Sequence, residues 1–102
     1  MHRIENDTAL DATGTSLKGH VQTTLAELTE VFGEPTYDEP SGDGKVNTEW
    51  VLTIDDVLVT IYDWKTCETP TGLYDWHVGG YDSSAEQLVQ DCIEQHRTVF
   101  AD

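Results

Sequence analysis

Basic residues are scarce in this sequence, since 102 residues contain five Lys and Arg side chains against twenty Asp and Glu. The formal charge of −15 repels nucleic-acid phosphates and anionic membrane surfaces. We therefore expect neither direct nucleic-acid binding nor membrane binding, and we expect a partner with a basic surface. Two origins of the acidity stay open: selection for such a partner, and the compositional background of a GC-rich genome or a salt-adapted proteome.

Long apolar runs and cysteine pairs are also lacking. No stretch approaches the roughly 18 apolar residues of a transmembrane helix, and the first residues lack the apolar core of a secretory signal. The two cysteines, Cys67 and Cys92, form neither a CxxC pair nor a Cys/His spacing that binds a metal. We therefore expect free thiols in a reducing cytoplasm, no metal and no cofactor.

The apolar residues that are present first follow a helical repeat. This repeat stops before Gly33 and Pro35, which predicts a helix over residues 20–32. Its apolar positions are Val21, Leu25, Leu28, Val31 and Phe32.

Alternation of apolar and polar residues then predicts three strands, over 46–54, 57–64 and 73–78. Only Asp55 and Asp56 separate the first two of them, which is the length of a tight hairpin connection.

A second helix is predicted after Gly79 and Gly80, which we expect to end the third strand. Ser83 and Glu86 have the spacing of a capping box, in which each residue binds the other's backbone N–H at a helix start.

The predicted fold is one α+β domain over residues 20–102, in the order α-β-β-β-α. It is a three-stranded antiparallel meander with two helices packed on one face, because three strands cannot shield both of their faces. Residues 1–19 show no period and are expected to form a flexible N-terminal arm. If the strand order is sequential, the first and third strands have open edges, so we expect a monomer or a weak homodimer.

The acidic residues suggest a binding surface for a basic partner. The candidates are those of the first helix and the following loop: Glu27, Glu30, Glu34, Asp38, Glu39 and Asp43. A second group, Glu86, Asp91 and Glu94, lies on the last helix. A solvated polar helix face is the alternative interpretation.

The passage from the third strand into the second helix is the candidate site for a small ligand. Backbone N–H groups at a glycine-rich turn and a helix start can bind an anion, such as the phosphate of a nucleotide signal. The residues concerned are Trp76, His77, Gly79, Gly80, Ser83 and Ser84. A plain turn into a capped helix is the alternative interpretation.

Aromatic residues are concentrated on the three predicted strands: Trp50, Tyr62, Trp64, Tyr74 and Trp76. They could form a stacking platform, or they could form the sheet face that packs under the helices. Asp75 and His77 suggest acid–base chemistry, but no nucleophile or metal motif accompanies them. We therefore expect a binding protein rather than an enzyme.

Three segments carry a resemblance to a known family: GTSLKGHVQTTLAELTEVFGEP, KVNTEWVLTIDDVLVTIYDWK and YDWHVGGYDSSAEQLV. Together they resemble small accessory proteins encoded by tailed bacteriophages, including phages of actinobacteria. The resemblance implies action in the host cytoplasm on a host protein, as a host-takeover factor or a defence inhibitor. Nucleic-acid mimicry is the sharpest form of this function, and a sponge for a nucleotide signal is the alternative.

Overall fold

Five strands and two helices make up the described part of the chain. The structure, a computed structural model, describes residues 3–6, 14–38, 45–66 and 68–100. In chain order the elements are β1 (Ile4–Asn6), β2 (Ser16–Thr23), α1 (Leu25–Phe32), β3 (Glu49–Ile54), β4 (Val57–Tyr62), β5 (Tyr74–Gly80) and α2 (Ala85–Phe100). The strands form one antiparallel sheet in the order β1-β3-β4-β5-β2.

The predicted α+β class is confirmed, but the sheet has five strands rather than the predicted three. β3, β4 and β5 form the expected meander, and β1 and β2 pair with its two outer strands. The described part of residues 1–19 is therefore not a loose arm, since it contains β1 and the first half of β2. β1 has only three residues, which is too short for a hydrophobic period to reveal it.

The first helix is shorter than the predicted span of residues 20–32, because it begins at Leu25. Thr24 is its N-cap: the backbone is extended there, and the side chain accepts the N–H of Glu27 at 3.2 Å. Val21 has helical spacing from Leu25, yet it lies in β2 and packs into the core from the sheet. Val21 therefore fits both the helical repeat and the alternation of a strand.

The connection between β3 and β4 is the predicted two-residue hairpin. Asp55 and Asp56 have φ angles of 52° and 68°, and Ile54 pairs with Val57 on either side of them. Two consecutive residues with positive φ are typical of a type I′ turn, which matches the twist of the strands.

Gly79 and Gly80 do not end the third strand at residue 78, as predicted, because β5 continues through both of them. The strand needs glycine there for reasons of space. A Cβ atom on Gly80 would lie 2.8 Å from the backbone oxygen of Leu58, and one on Gly79 would lie 2.6 Å from Oγ1 of Thr60. These glycines let β4 and β5 approach each other closely.

The second helix forms as predicted, but the predicted capping box of Ser83 and Glu86 does not. The carboxylate of Glu86 accepts the backbone N–H of His20 in β2 at 2.8 Å, so it is not available at the helix start. Asp82 takes the local role instead, because its side chain accepts the N–H of Ser84 at 2.9 Å.

Both helices pack on one face of the sheet, as predicted, and the core lies between the helices and that face. Trp50 and Trp76 are fully buried there, with ring centroids 5.6 Å apart in an edge-to-face arrangement. The rest of this core is Val21, Leu28, Phe32, Leu52, Ile54, Val59, Ile61, Val78, Ala85, Val89, Cys92 and Ile93. Neither helix of the described residues has the length and apolar character that a membrane crossing requires.

The expected open edges at the first and third predicted strands are absent, because β1 covers β3 and β2 covers β5. This is why Trp50 and Trp76 are fully buried. The outer edge of β2 is itself protected by α2. Gln90 and Arg97 donate to the carbonyl oxygens of His20 and Gln22, at 3.1 and 3.3 Å.

Candidate functional site

The sheet face opposite the helices, here called the outer face, carries the side chains that alternate with the core positions. Its central residues are aligned by the strand register: Glu49, Val51 and Thr53 of β3, Leu58, Thr60 and Tyr62 of β4, and Asp75, His77 and Gly79 of β5. β2 adds His20 and Gln22, and β1 adds Glu5. Within the described ranges, neither helix packs against this face.

Two histidines and two aromatic residues meet on the outer face, in what we call the outer-face cluster (His20, Tyr62, Trp64 and His77). The ring centroid of His77 lies 4.7 Å from that of His20, 5.4 Å from that of Tyr62 and 6.3 Å from that of Trp64. The backbone N–H and C=O of His20 bind side chains of α2 and so point away from β5. His20 and His77 therefore form a non-hydrogen-bonded cross-strand pair, the type that brings side chains closest.

Burial favours the uncharged form of His77 on the outer face. It lowers the pKa of His77, and the neighbouring His20 lowers it further, although Asp75 and Asp63 act in the opposite direction. Burial also raises the pKa of Glu49. The His77 imidazole is therefore uncharged at neutral pH.

Two of the five basic residues of the chain converge on one indole ring. The Nζ atoms of Lys45 and Lys65 lie 5.7 and 5.9 Å from the ring centroid of Trp64, within the range of cation–π attraction. Lys65 has a φ of 56°, a left-handed conformation that a lysine rarely adopts. The backbone N–H of Trp64 donates to the hydroxyl of Tyr74 at 3.2 Å, which helps to fix this corner.

Asp63 joins the two chain segments that place Lys45 and Lys65 beside Trp64. Its carboxylate is fully buried and accepts the N–H groups of Asn47 and Thr48 at 2.8 and 3.0 Å, the side-chain amide of Asn47 at 3.0 Å and the hydroxyl of Thr66. A buried carboxylate is tolerated when its lone pairs are bound in this way. No sequence pattern had singled out Asp63.

The aromatic residues that the sequence grouped together lie on two sides of the sheet. Trp50, Tyr74 and Trp76 pack on the core side, where Tyr74 meets Trp76 edge to face at 5.4 Å. Tyr62 and Trp64 remain on the outer face. The core interpretation thus holds for Trp50, Tyr74 and Trp76, whereas the stacking platform stays a prediction for Tyr62 and Trp64.

The acidic candidates of α1 are partly used within the molecule. Arg97 of α2 binds Glu27 with Nη2 2.7 Å from Oε1, and this hydrogen bond is the main reason why the pKa of Glu27 is lowered. The carboxylate of Glu30 lies 2.9 Å from Nε2 of His96 and is otherwise exposed. These polar contacts therefore join α1 to α2.

The remaining acidic candidates differ in their surroundings. Glu34 and Asp38 are exposed, and the Thr48 hydroxyl donates to Asp38 at 3.3 Å. Glu39 and Asp43 lie outside the described residues. In the second group, Glu86 binds β2, whereas Asp91 accepts the side chain of Gln87 at 2.8 Å and Glu94 is exposed.

The two helices carry a local excess of negative charge. α1 and α2 together carry one basic residue, Arg97, and five carboxylates: Glu27, Glu30, Glu86, Asp91 and Glu94. On the outer face, Lys45 and Lys65 lie beside Trp64, and Arg3 pairs with Glu5 at 2.7 Å. We call Glu27, Glu30, Asp91 and Glu94 the acidic helix surface.

An open groove of about 330 Å³ lies between β2 and α2, next to the acidic helix surface. Val21 and Ile93 provide apolar contacts in it, and Glu94 and Arg97 provide charges. Gln22 and Gln90 complete the lining. The Arg97 charge is offset by its bond to Glu27, so Glu94 is the unbalanced charge of the groove.

The predicted ligand site after β5 is not one continuous site. Trp76 faces the core and His77 faces outward, because successive residues of a strand point to opposite faces. Gly79 and Gly80 are buried in the sheet. The backbone N–H of Ser84, which an anion would need, already binds the Asp82 carboxylate; this bond lowers the pKa of Asp82.

No protein-family model, curated protein or solved structure matches this chain. In the parts of the chain that the structure describes, no three His, Cys, Asp or Glu side chains are grouped in a way that could hold a metal ion.

Proposed function

We propose that this protein is a binding protein that engages a partner protein with a basic surface through its acidic helix surface. The observation that carries this proposal is the local excess of negative charge on the two helices, which carry five carboxylates against one arginine. The electric field of these carboxylates attracts a basic partner to the helix side of the molecule and orients it there.

The groove between β2 and α2 gives this surface a specific point of contact. A lysine or arginine side chain of the partner can place its methylene groups against Val21 and Ile93 and its charge near Glu94. The exposed carboxylate of Glu30 on α1 would then meet a second basic group.

The resemblance to bacteriophage accessory proteins supports a host protein as the partner, with host takeover or inhibition of a defence system as the outcome. Proteins that hold DNA have basic surfaces, and carboxylates on a rigid helical surface can occupy the positions of phosphates there. Nucleic-acid mimicry is therefore the form of the proposal that we test.

The test measures displacement of a labelled DNA duplex from a panel of actinobacterial DNA-binding and defence proteins by fluorescence anisotropy. We expect displacement from at least one of them at low salt and a steep loss as salt screens the attraction. The double variant Glu30→Gln, Glu94→Gln should bind roughly 2- to 30-fold more weakly, because exposed charge pairs each contribute about 0.2–1 kcal/mol.

The matched control removes two carboxylates from the other side of the molecule, in the double variant Glu5→Gln, Asp75→Asn. It should displace DNA as the unchanged protein does. Equal losses in the two double variants, displacement that is insensitive to salt, or no displacement from any protein of the panel would contradict the proposal.

A further inference from the structure

Two imidazoles meet on the outer face close to the β2 edge of the sheet. Val51 and Thr60, at the centre of this face, are only 2% and 1% exposed, so the face is closed there. His20, in contrast, is exposed on the outermost strand, and His77 beside it on β5 is partly exposed. An ion from the solvent can therefore approach both rings from the β2 edge without entering the closed centre.

The spacing of the two rings matches that of two imidazoles bound to one metal ion. Their centroids are 4.7 Å apart. A metal–nitrogen bond of about 2.1 Å, with about 1.2 Å more to the ring centre, places two imidazoles in neighbouring positions of a square-planar or octahedral ion with centroids about 4.7 Å apart. The two rings are inclined by 63°, and the χ2 torsion of histidine is soft, so each ring can turn a nitrogen towards a shared ion.

One of these imidazoles lacks a partner that a bound ion would provide. The Nδ1 atom of His77 is buried and has no hydrogen-bond partner. A buried nitrogen without a partner costs free energy, and such an atom can mark the place of an ion or a water molecule. The lowered pKa of His77 also leaves its ring uncharged at neutral pH, which is the form that binds metals.

The charges around the pair favour a cation. The carboxylates of Asp75 and Asp63 both act on the His77 ring as negative charges. The whole chain carries a charge of −15, which raises the concentration of cations near its surface. An anion such as phosphate is a poorer occupant for the same reason.

We propose that His20 and His77 bind one divalent transition-metal ion between β2 and β5, with water in its remaining coordination positions. Imidazole suits copper, nickel and zinc rather than magnesium or calcium, and Cu²⁺ binds most tightly in this series. Two protein ligands give a weaker site than the three or four of a dedicated zinc centre, so the affinity is in the micromolar range. The bound ion links the edge strand β2 to its neighbour. The two histidines are far apart in the sequence, so no motif indicates this site.

The test is isothermal titration calorimetry with Cu²⁺. All proteins carry His2→Asn, because a histidine next to the amino terminus can itself bind copper. We expect one ion per chain and no binding of Mg²⁺. His20→Asn and His77→Asn should each raise the Kd by about tenfold or more, because a chelate becomes a single ligand. The variant with both substitutions should be little weaker than either alone, since one substitution already breaks the chelate.

The matched control is His96→Asn, which removes a histidine that lies beside Glu30 on the helix side of the sheet. It should leave the Kd within about twofold. Thermal unfolding gives a second readout, because an ion that binds the folded chain raises its Tm. Cu²⁺ should raise the Tm of the control but not that of the variant without His20 and His77. Circular dichroism verifies folding, and the exposed His20 provides a substitution that leaves the core untouched.

No saturable Cu²⁺ binding by the folded protein would overturn the proposal. So would binding that neither His20→Asn nor His77→Asn weakens, or that His96→Asn weakens equally. The metal site and the acidic helix surface lie on opposite faces of the sheet, so this proposal and the proposed function succeed or fail independently.

Discussion

At the scale of the residue, His77 shows how burial makes one side chain sensitive to pH. Its pKa is lowered in the folded protein, whereas it returns to about 6.5 in the unfolded chain. The unfolded state therefore binds more protons between the two values. As pH falls from above 6.5 through the lower folded pKa, the His77 term reduces the free energy of unfolding.

The first prediction follows from this sign. Replacement His77→Phe should reduce the loss of stability between pH 7.5 and pH 5.5, because the group that must be protonated is gone. Urea denaturation at low protein concentration measures it, as the difference between the unchanged and substituted proteins at each pH. The surrounding titratable groups are present in both proteins: His20, Tyr62, Glu49, Asp63 and Asp75. Parallel pH profiles would contradict the explanation.

The surroundings of single residues were the part of the structure that the sequence predicted least well. Asp63 was one acidic residue among twenty, and only the fold shows that its carboxylate joins the segments around Asn47 and Thr66. The meeting of His20 with His77 depends on a strand that the helical pattern concealed. Side chains far apart in sequence become a cluster only when the strand order is known.

At the scale of the element, the alternation of apolar residues was sufficient for β3, β4 and the hairpin between them. The sequence left open whether Trp50 and Trp76 lie in the core, and the fold shows that they do. The alternation did not reveal β1, which is short, or β2, where Val21 matched the repeat of the following helix. Neither the alternation nor the helical repeat predicts the strand order, because pairing between distant segments leaves no period in the sequence.

The element-scale prediction concerns the passage from β5 into α2. A Cβ atom on Gly80 would lie 2.8 Å from the Leu58 oxygen and 3.2 Å from Cβ of Ala85. Gly80→Ala should therefore destabilise the fold by about 1–3 kcal/mol, the usual cost of overpacking. Gly72→Ala is the matched control, because a Cβ atom there meets nothing within 4 Å. It should change stability by less than about 0.5 kcal/mol in the same urea titration.

If Gly80→Ala and Gly72→Ala proved equally stable, β4 and β5 would not approach as closely as the structure shows. The strand would then end near residue 78, as the pair of glycines had suggested, and the turn would be open to a ligand.

At the scale of the whole molecule, one sheet separates two surfaces of different character. The helices cover one side and carry five carboxylates against one arginine, whereas the outer face carries basic and acidic side chains together with Tyr62 and Trp64. The net charge was known from the sequence, but the fold was needed to show which carboxylates share a surface.

The most direct test of this account is a nuclear magnetic resonance titration of the labelled protein with a decalysine peptide, at low and at high salt. We predict chemical-shift changes in α1 and α2, centred on Glu30, Gln90 and Glu94, that disappear at high salt. The amides of Tyr62 and His77 on the outer face should not shift. Changes centred on the outer face, or spread evenly over the described residues, would contradict the claim that the helices form the binding surface.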